Sequence, residues 1–99
     1  MRDVQWSDYA LDDLEEQVLY IGKDDPAAAR RVMKRIRETG NKLSDFATGH
    51  PGRVAGTYEK SVPRLPHILT YALSGDGTVL TILRVIHTSR DWQADGWPE

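Results

Sequence analysis

The side chains best suited to chemistry are concentrated near the C-terminal end of the chain, in the run Leu83-Arg84-Val85-Ile86-His87-Thr88-Ser89-Arg90-Asp91-Trp92. In an extended strand, Arg84 and Ile86 share one face and His87 lies on the other. An arginine in such an apolar strand requires a carboxylate, backbone carbonyls or solvent around its guanidinium. In one interpretation Arg84 extends to solvent and His87 makes a hydrogen bond at the rim of a sheet. In the other, both converge with Arg64 and Arg90 into one polar cluster.

Metal and cofactor chemistry have little support in the sequence. The histidines, His50, His67 and His87, are widely spaced and lack the local pairing that is typical of zinc ligands. The chain has no cysteine, which excludes disulfides, thiolate nucleophiles and cysteine-ligated zinc. The glycines of the segment 75–77 suit a hairpin turn, and neither a lysine nor a helix follows them as in a phosphate-binding loop. We therefore expect no metal site and no cofactor.

Length and composition favour one small folded domain. The chain has 99 residues, of which 39% are hydrophobic and 28% are charged, as is typical of globular proteins. Its formal net charge of −2 provides no overall attraction to nucleic acid or to anionic lipid. The N-terminal residues lack the apolar stretch of a secretion signal, and the most apolar segment, 79–86, is too short to span a bilayer. The expected location is the cytoplasm.

A short strand and a helix are expected at the start of the chain. Val4 and Trp6 alternate as in an opening strand. Ser7 can cap a helix that ends near Gly22, because its hydroxyl can accept a hydrogen bond from a free backbone N–H. The predicted apolar face of this helix consists of Leu11, Leu14, Val18 and Ile21.

A second helix is predicted from Pro26, whose missing N–H costs nothing in a first turn, behind a cap at Asp24 or Asp25. Its apolar stripe is Ala29, Val32, Met33, Ile36 and Leu43, and its other surface carries Arg30, Arg31, Lys34, Arg35 and Arg37. The short connection predicts an antiparallel hairpin in which an acidic helix lies beside a basic one.

Strands are expected to fill the second half of the chain. After a loop at 44–52, the sequence predicts strands at 53–60, with Gly56 as a candidate bulge, and at 67–73. The glycines after Leu73 predict a tight hairpin turn.

The last predicted strand, 78–87, is apolar on both faces and therefore belongs in the middle of a sheet. The predicted fold class is α+β, in the order β-α-α-β-β-β, with a helical hairpin packed on one face of a twisted antiparallel sheet. We expect residues 1–99 to form a single domain, in which 92–99 is a C-terminal tail.

Three segments resemble ParE-type toxins of the RelE/ParE superfamily. The run 83–91 is similar to the closing strand of these toxins, in which an arginine, apolar residues and a histidine precede arginine and aspartate. The segment 67–73, with Tyr71 before a turn, resembles the penultimate strand. The opening segment 6–14 resembles the first helix, where an alanine precedes an acidic-leucine pair. Together the similarities extend from about Val4 to Trp92.

The resemblance implies the toxin of a bacterial type II toxin–antitoxin system, held inactive by a ParD-like antitoxin whose C-terminal segment lies along the toxin. In this superfamily ParE-like members poison DNA gyrase, whereas RelE-like members cut mRNA on the ribosome. A ribonuclease would use Arg64, Arg84 and His87, with Glu59 as a partner carboxylate.

Gyrase poisoning is favoured over mRNA cleavage by the negative net charge. The last strand ends in His87-Thr88-Ser89, without the tyrosine that ribonuclease members of the superfamily often have near there. The basic residues are concentrated on the second helix, away from the concave face of the sheet. We expect no membrane contact and no sequence-specific nucleic-acid binding by the toxin alone.

The C-terminal tail contains Trp92 and Trp97, with little core left to bury them. Trp92 either folds back on the sheet or anchors an interface, because large aromatic side chains dominate binding hot spots. The candidates for target or partner binding are Arg84, His87, Arg90, Trp92 and Trp97.

Overall fold

The computed structural model describes residues 2–88, which form two helices and a five-stranded sheet. In chain order the elements are β1 (Asp3–Trp6), α1 (Asp8–Gly22), α2 (Pro26–Lys42), β2 (His50–Pro51), β3 (Tyr58–Ser61), β4 (His67–Leu73) and β5 (Val79–His87). The strands lie in the order β1-β5-β4-β3-β2. The predicted α+β class and the helical hairpin packed on a sheet are confirmed. The sequence did not predict β2, since its residues were expected to form a loop.

β5 lies inside the sheet, as its two apolar faces predict. It pairs in parallel with β1 and antiparallel with β4, so the sheet is mixed rather than purely antiparallel. The register shifts where Thr70 pairs with Arg84 and Tyr71 pairs with Ile82. Leu83 is therefore an extra residue in β5, and this irregularity occurs immediately before Arg84.

The helix caps follow the sequence prediction, but two apolar positions do not. Met33, predicted on the apolar stripe of α2, is 40% exposed. The Ser7 hydroxyl accepts a hydrogen bond from the Ala10 N–H at 3.0 Å, and Asp25 caps α2. Leu11, predicted on the buried face of α1, is 40% exposed. The inward residues are Ala10, Leu14 and Gln17, because α1 is rotated so that its polar side chains reach the backbone of β5.

The segment before β3 differs from the predicted strand 53–60. The Gly52 N–H donates to the Thr57 carbonyl at 2.9 Å, and the Thr57 N–H donates to the Val54 carbonyl at 3.1 Å, so this part of the chain is a turn. Gly56 has φ +82° in that turn, where a glycine is favoured, and is not a strand bulge. β3 begins only at Tyr58 and ends at Ser61.

A close approach between α2 and the sheet occurs at Gly40. An added Cβ at Gly40 would lie 2.5 Å from the Trp6 ring and 2.7 Å from the Ile82 side chain. The Trp6 ring is also covered by the Arg37 guanidinium, 5.3 Å from the ring centroid. The absence of a side chain at Gly40 therefore allows α2 to pack on the first strand. The buried core around this contact consists of Ala10, Leu14, Ile36, Leu43, Val62, Leu69, Tyr71, Leu80, Ile82 and Val85.

The hairpin between β4 and β5 is organised by one carboxylate. Asp76 Oδ1 accepts hydrogen bonds from the Ser74 hydroxyl at 2.8 Å and from the Thr78 N–H at 3.1 Å. These hydrogen bonds lower the pKa of Asp76 from 3.8 to about 2, and the one from Ser74 has the largest effect. Gly77 follows with φ +75°, so the predicted glycine turn is confirmed.

The Gly40 contact predicts the opposite of the usual effect of alanine in a helix. Alanine is normally favoured over glycine by about 1 kcal/mol, but we expect Gly40→Ala to lower the free energy of unfolding by about 1–3 kcal/mol through overpacking. The measurement is urea unfolding followed by tryptophan fluorescence. The control is Gly75→Ala, where an added Cβ meets nothing within 4 Å. Equal stability of the two variants would contradict this packing.

The turn predicts a specific acid sensitivity. Because the folded-state pKa of Asp76 is depressed, its stabilisation is fully present above pH 3.8 and is lost as the pH falls through about 2. Asp76→Asn should therefore be less stable than the wild type at neutral pH and lose less stability across this window. Unfolding titrations at both ends of the window measure the difference. Asp45→Asn, which removes an exposed carboxylate, should keep the wild-type profile.

Candidate site for target and partner binding

The free edge of β5 beyond β1 is hydrogen-bonded by side chains of α1. The Ser7 hydroxyl donates to the Leu83 carbonyl at 2.9 Å, where β1 has already ended. Asp13 Oδ2 accepts from the Val85 N–H, and Gln17 Nε2 donates to the Val85 carbonyl, both at 3.0 Å. The helix thus continues the hydrogen-bond ladder that β1 begins, and the edge is closed to another strand.

Arg84 is bound to the same helix. Its Nε lies 2.7 Å from Asp13 Oδ2 and its Nη2 lies 2.9 Å from Asp13 Oδ1, a bidentate pair. The two side chains are 31% and 15% exposed, respectively. Hydrogen bonding to Asp13 raises the pKa of Arg84 against the opposing effect of burial. The sequence allowed a carboxylate, backbone carbonyls or solvent around this guanidinium, and the structure shows that a carboxylate binds it.

Asp13 is the partner of Arg84 that sequence reasoning missed. It is not on the predicted apolar face of α1, although it lies within one turn of the buried Ala10, Leu14 and Gln17. An acidic residue beside the buried stripe of a helix is the signal that could have indicated it. Its partner is 71 residues away, which spacing alone does not connect.

His87 lies beside His67 at the far end of β5. The two rings meet edge to face with their centroids 5.1 Å apart, and His67 is buried. They border an apolar cavity of about 180 Å³ between the helices and the β3–β4 loop. The other residues that line it are Gln17, Tyr20, Ile21, Val32, Leu65 and Pro66.

Glu59 lies on β3 in a different environment. Its side chain is buried, and Oε2 accepts a hydrogen bond from the Arg53 N–H at 3.1 Å. In the sheet it pairs with His50 on one side and with Thr70 on the other, and Thr70 in turn pairs with Arg84. Glu59 and Arg84 are thus two strands apart, and the Arg84 guanidinium is bound to Asp13 rather than to Glu59.

Arg64 lines a different cavity from the two histidines, together with residues of α2. It is exposed, and its backbone has φ +65°, a left-handed conformation that is uncommon for a residue with a Cβ. The structure therefore places Arg64, Arg84 and His87 in three separate environments. Arg90, Trp92 and Trp97 lie outside the described residues.

A groove between α2 and the β3–β4 loop contains Arg64, and we call it the basic groove. One part, of about 290 Å³, is lined by Arg35, Glu38, Thr39, Lys42, Pro63 and Arg64. The adjoining part, of about 280 Å³, shares Thr39, Lys42 and Pro63 and adds Leu43, Phe46, Thr48 and Lys60. Sequence reasoning identified the basic surface of α2 but not its meeting with Arg64 and Phe46, because loop placement determines that contact.

Residues 2–88 contain neither a recognisable metal site nor a membrane-spanning helix. No group of three or more histidine, cysteine or acidic side chains there could hold a metal ion. Neither described helix is long and apolar enough to cross a membrane.

Comparisons with known proteins point to one family. Residues 4–92 match the family model described as ParE toxin of type II toxin–antitoxin system, parDE. The chain is 38% identical to Y4kP of Sinorhizobium fredii over 90 residues, which are 90% of this chain and 91% of that protein. It is 33% identical to toxin RelE2 of Caulobacter vibrioides over 91 residues, 91% of this chain and 99% of that toxin.

Solved structures show the same fold. A chain of the chromosomal ParDE system from P. aeruginosa superimposes with a TM-score of 0.81 at 23% identity, covering 88% of this chain and 96% of that chain. A chain of the RelBE2 toxin–antitoxin complex from Mycobacterium tuberculosis gives a TM-score of 0.58 at 24% identity, covering 87% and 96%.

The ion pair between α1 and β5 predicts a clear stability effect. Asp13→Asn removes the charge and one of the two acceptor oxygens that hold Arg84 and the Val85 N–H. We expect the free energy of unfolding to fall by about 1–3 kcal/mol, since a partly buried charge loses its partner. The matched control is Asp12→Asn, an exposed neighbour, for which a change within about 0.5 kcal/mol is expected. Denaturant unfolding measures both, and an unchanged Asp13→Asn would refute the structural role of the pair.

Proposed function

The chain belongs to the family of ParE toxins of type II toxin–antitoxin systems, and we propose that it stops bacterial growth by poisoning DNA gyrase. The family assignment rests on a match over residues 4–92, which covers every helix and strand of the fold except the first residue of β1, Asp3. A chain of this family acts together with a cognate antitoxin. We further propose that a ParD-like antitoxin neutralises it through its C-terminal segment.

The environment of Arg84 supports gyrase over ribosome-dependent mRNA cleavage. A ribonuclease of the RelE type would need cationic side chains free to hold phosphates and an acid–base pair close to them. Arg84 instead makes a bidentate pair with Asp13, so its charge is already compensated within the fold. Binding a phosphate there would first require breaking two charge-assisted hydrogen bonds.

The distribution of the other candidates supports the same choice. His87 is in ring contact with His67, Arg64 faces α2, and Glu59 is buried two strands from Arg84. The net charge of −2 also opposes docking onto ribosomal RNA, whose binding is dominated by phosphate neutralisation. An inhibitor that binds a protein target requires neither a free phosphate ligand nor a catalytic pair.

The test of the proposed target is a supercoiling reaction with purified gyrase and purified toxin. Poisoning predicts loss of supercoiled product, or accumulation of cleaved DNA, as toxin is increased. Toxin preincubated with its antitoxin should leave the reaction unchanged and serves as the control. Supercoiling that proceeds normally at a large excess of free toxin would refute the proposal.

The ribonuclease alternative gives a different result in cells. Primer extension on mRNA after induction would then reveal cuts within translated codons, and His87→Ala would abolish them. Under the gyrase proposal, translated messages stay intact while growth stops.

A further inference from the structure

The apolar cavity of about 180 Å³ beside His67 and His87, which we call the histidine cavity, is large enough to hold a small molecule. Its walls come from both helices, from the β3–β4 loop and from the adjacent ends of β4 and β5. The accessible surface inside it is almost entirely apolar. An engineered cavity of about 150 Å³ in another protein binds benzene, so the histidine cavity has room for an aromatic ring.

Aromatic side chains form part of the wall of this cavity. The His67 and His87 rings meet edge to face with their centroids 5.1 Å apart, and Tyr20 lines the cavity from α1. His67 is buried and Tyr20 is exposed, so the lining extends from the interior to the surface. Aromatic rings prefer offset-stacked or edge-to-face neighbours. A planar aromatic ligand therefore matches this lining better than an aliphatic one of the same volume.

One buried polar atom at the cavity lacks a hydrogen-bond partner. Gln17 lines the cavity and is 6% exposed, and its Nε2 donates to the Val85 carbonyl at 3.0 Å. That hydrogen bond fixes the orientation of the carboxamide, because only the amide nitrogen can donate to a carbonyl. Within residues 2–88, Gln17 Oε1 is buried and accepts no hydrogen bond, which costs stability.

These features select an uncharged ligand with an apolar ring and one N–H or O–H donor. The ring would fill the apolar space, and the donor would bind Gln17 Oε1. A water molecule is a poorer occupant, because a buried water needs about two to four polar partners. Among the described residues that line the cavity, none is an acid, a lysine or an arginine. An ionised ligand would therefore lose its hydration without gaining a partner charge.

We propose that the histidine cavity binds an indole-like aromatic group whose N–H donates to Gln17 Oε1. This chemistry has two sources. One is a free small molecule, which would enter at the exposed Tyr20 end. The other is the side chain of Trp92, which follows the last described residue by four positions. Either indole would contact both helices and β5, and the inference is independent of the toxin's target and of any antitoxin.

The test is a calorimetric titration of the full-length toxin with indole and with benzofuran. Benzofuran has the same bicyclic shape but an ether oxygen in place of the N–H. We expect a dissociation constant of about 1 mM or below for indole. Benzofuran should bind about tenfold more weakly, because it leaves the Gln17 oxygen unpaired. Shifts in the NMR signals of the Ile21 and Val32 methyl groups locate the bound ring.

The Trp92→Ala variant distinguishes the two sources. Binding of indole by the wild type assigns the cavity to a free molecule. Binding by Trp92→Ala alone assigns the cavity to the indole of Trp92, and the other variants are then compared in that background.

Two variants of the cavity separate the contribution of the ring from that of the donor. Val32→Phe adds carbon atoms inside the cavity and should abolish binding of indole. Its control is Leu19→Phe, which adds a ring at an exposed position outside the lining and should bind indole as the parent protein does. Gln17→Met keeps the length of the side chain without the acceptor oxygen, so it should bind indole and benzofuran with equal affinity. Should Gln17→Met fail to fold, the ratio of the two affinities in the parent protein still measures the same hydrogen bond.

Three outcomes would overturn the proposal. They are no binding of indole by either the wild type or Trp92→Ala, equal affinity of the parent protein for indole and benzofuran, and unchanged binding in Val32→Phe. The titration uses neither gyrase nor antitoxin, so its failure is distinguishable from failure of the proposed function.

Discussion

The structure depends on how the exposed edge of β5 is hydrogen-bonded after β1 ends. Backbone groups that are buried without a partner are costly, and β1 pairs only as far as Ile82. Side chains of Ser7, Asp13 and Gln17 supply the missing partners. This requirement fixes the rotation of α1 about its own axis, turns Leu11 outward and places Asp13 where it also binds the Arg84 guanidinium.

Some cationic side chains hold the helices on the sheet, and others remain at the surface. Arg84 is paired with Asp13, and Arg37 covers the Trp6 ring. Both arginines therefore contribute to the packing of the helices on the sheet. Within residues 2–88, Arg35 and Arg64 make no comparable contact, and they line the basic groove. The cations of the basic groove therefore take no part in the α1–β5 contact.

Sequence reasoning was accurate where a local rule decides the structure. The bounds of β4, the caps at Ser7 and Asp25 and the central position of β5 follow from alternation, capping chemistry and two-sided apolarity. It failed at 50–61, where turn hydrogen bonds and the φ of Gly56 delay the strand. It also missed the Asp13–Arg84 pair and the groove, because each joins segments far apart in the chain.

The parallel pairing of β1 with β5 determines when the sheet can form during synthesis of the chain. Residues Asp3–Trp6 are made before the other elements of the fold, yet their partners are Val79–Ile82. The first strand therefore has no ladder to join until β5 has left the ribosome, and contacts of such high sequence separation form slowly. β1 thus joins the sheet only after the elements between it and β5 have been made.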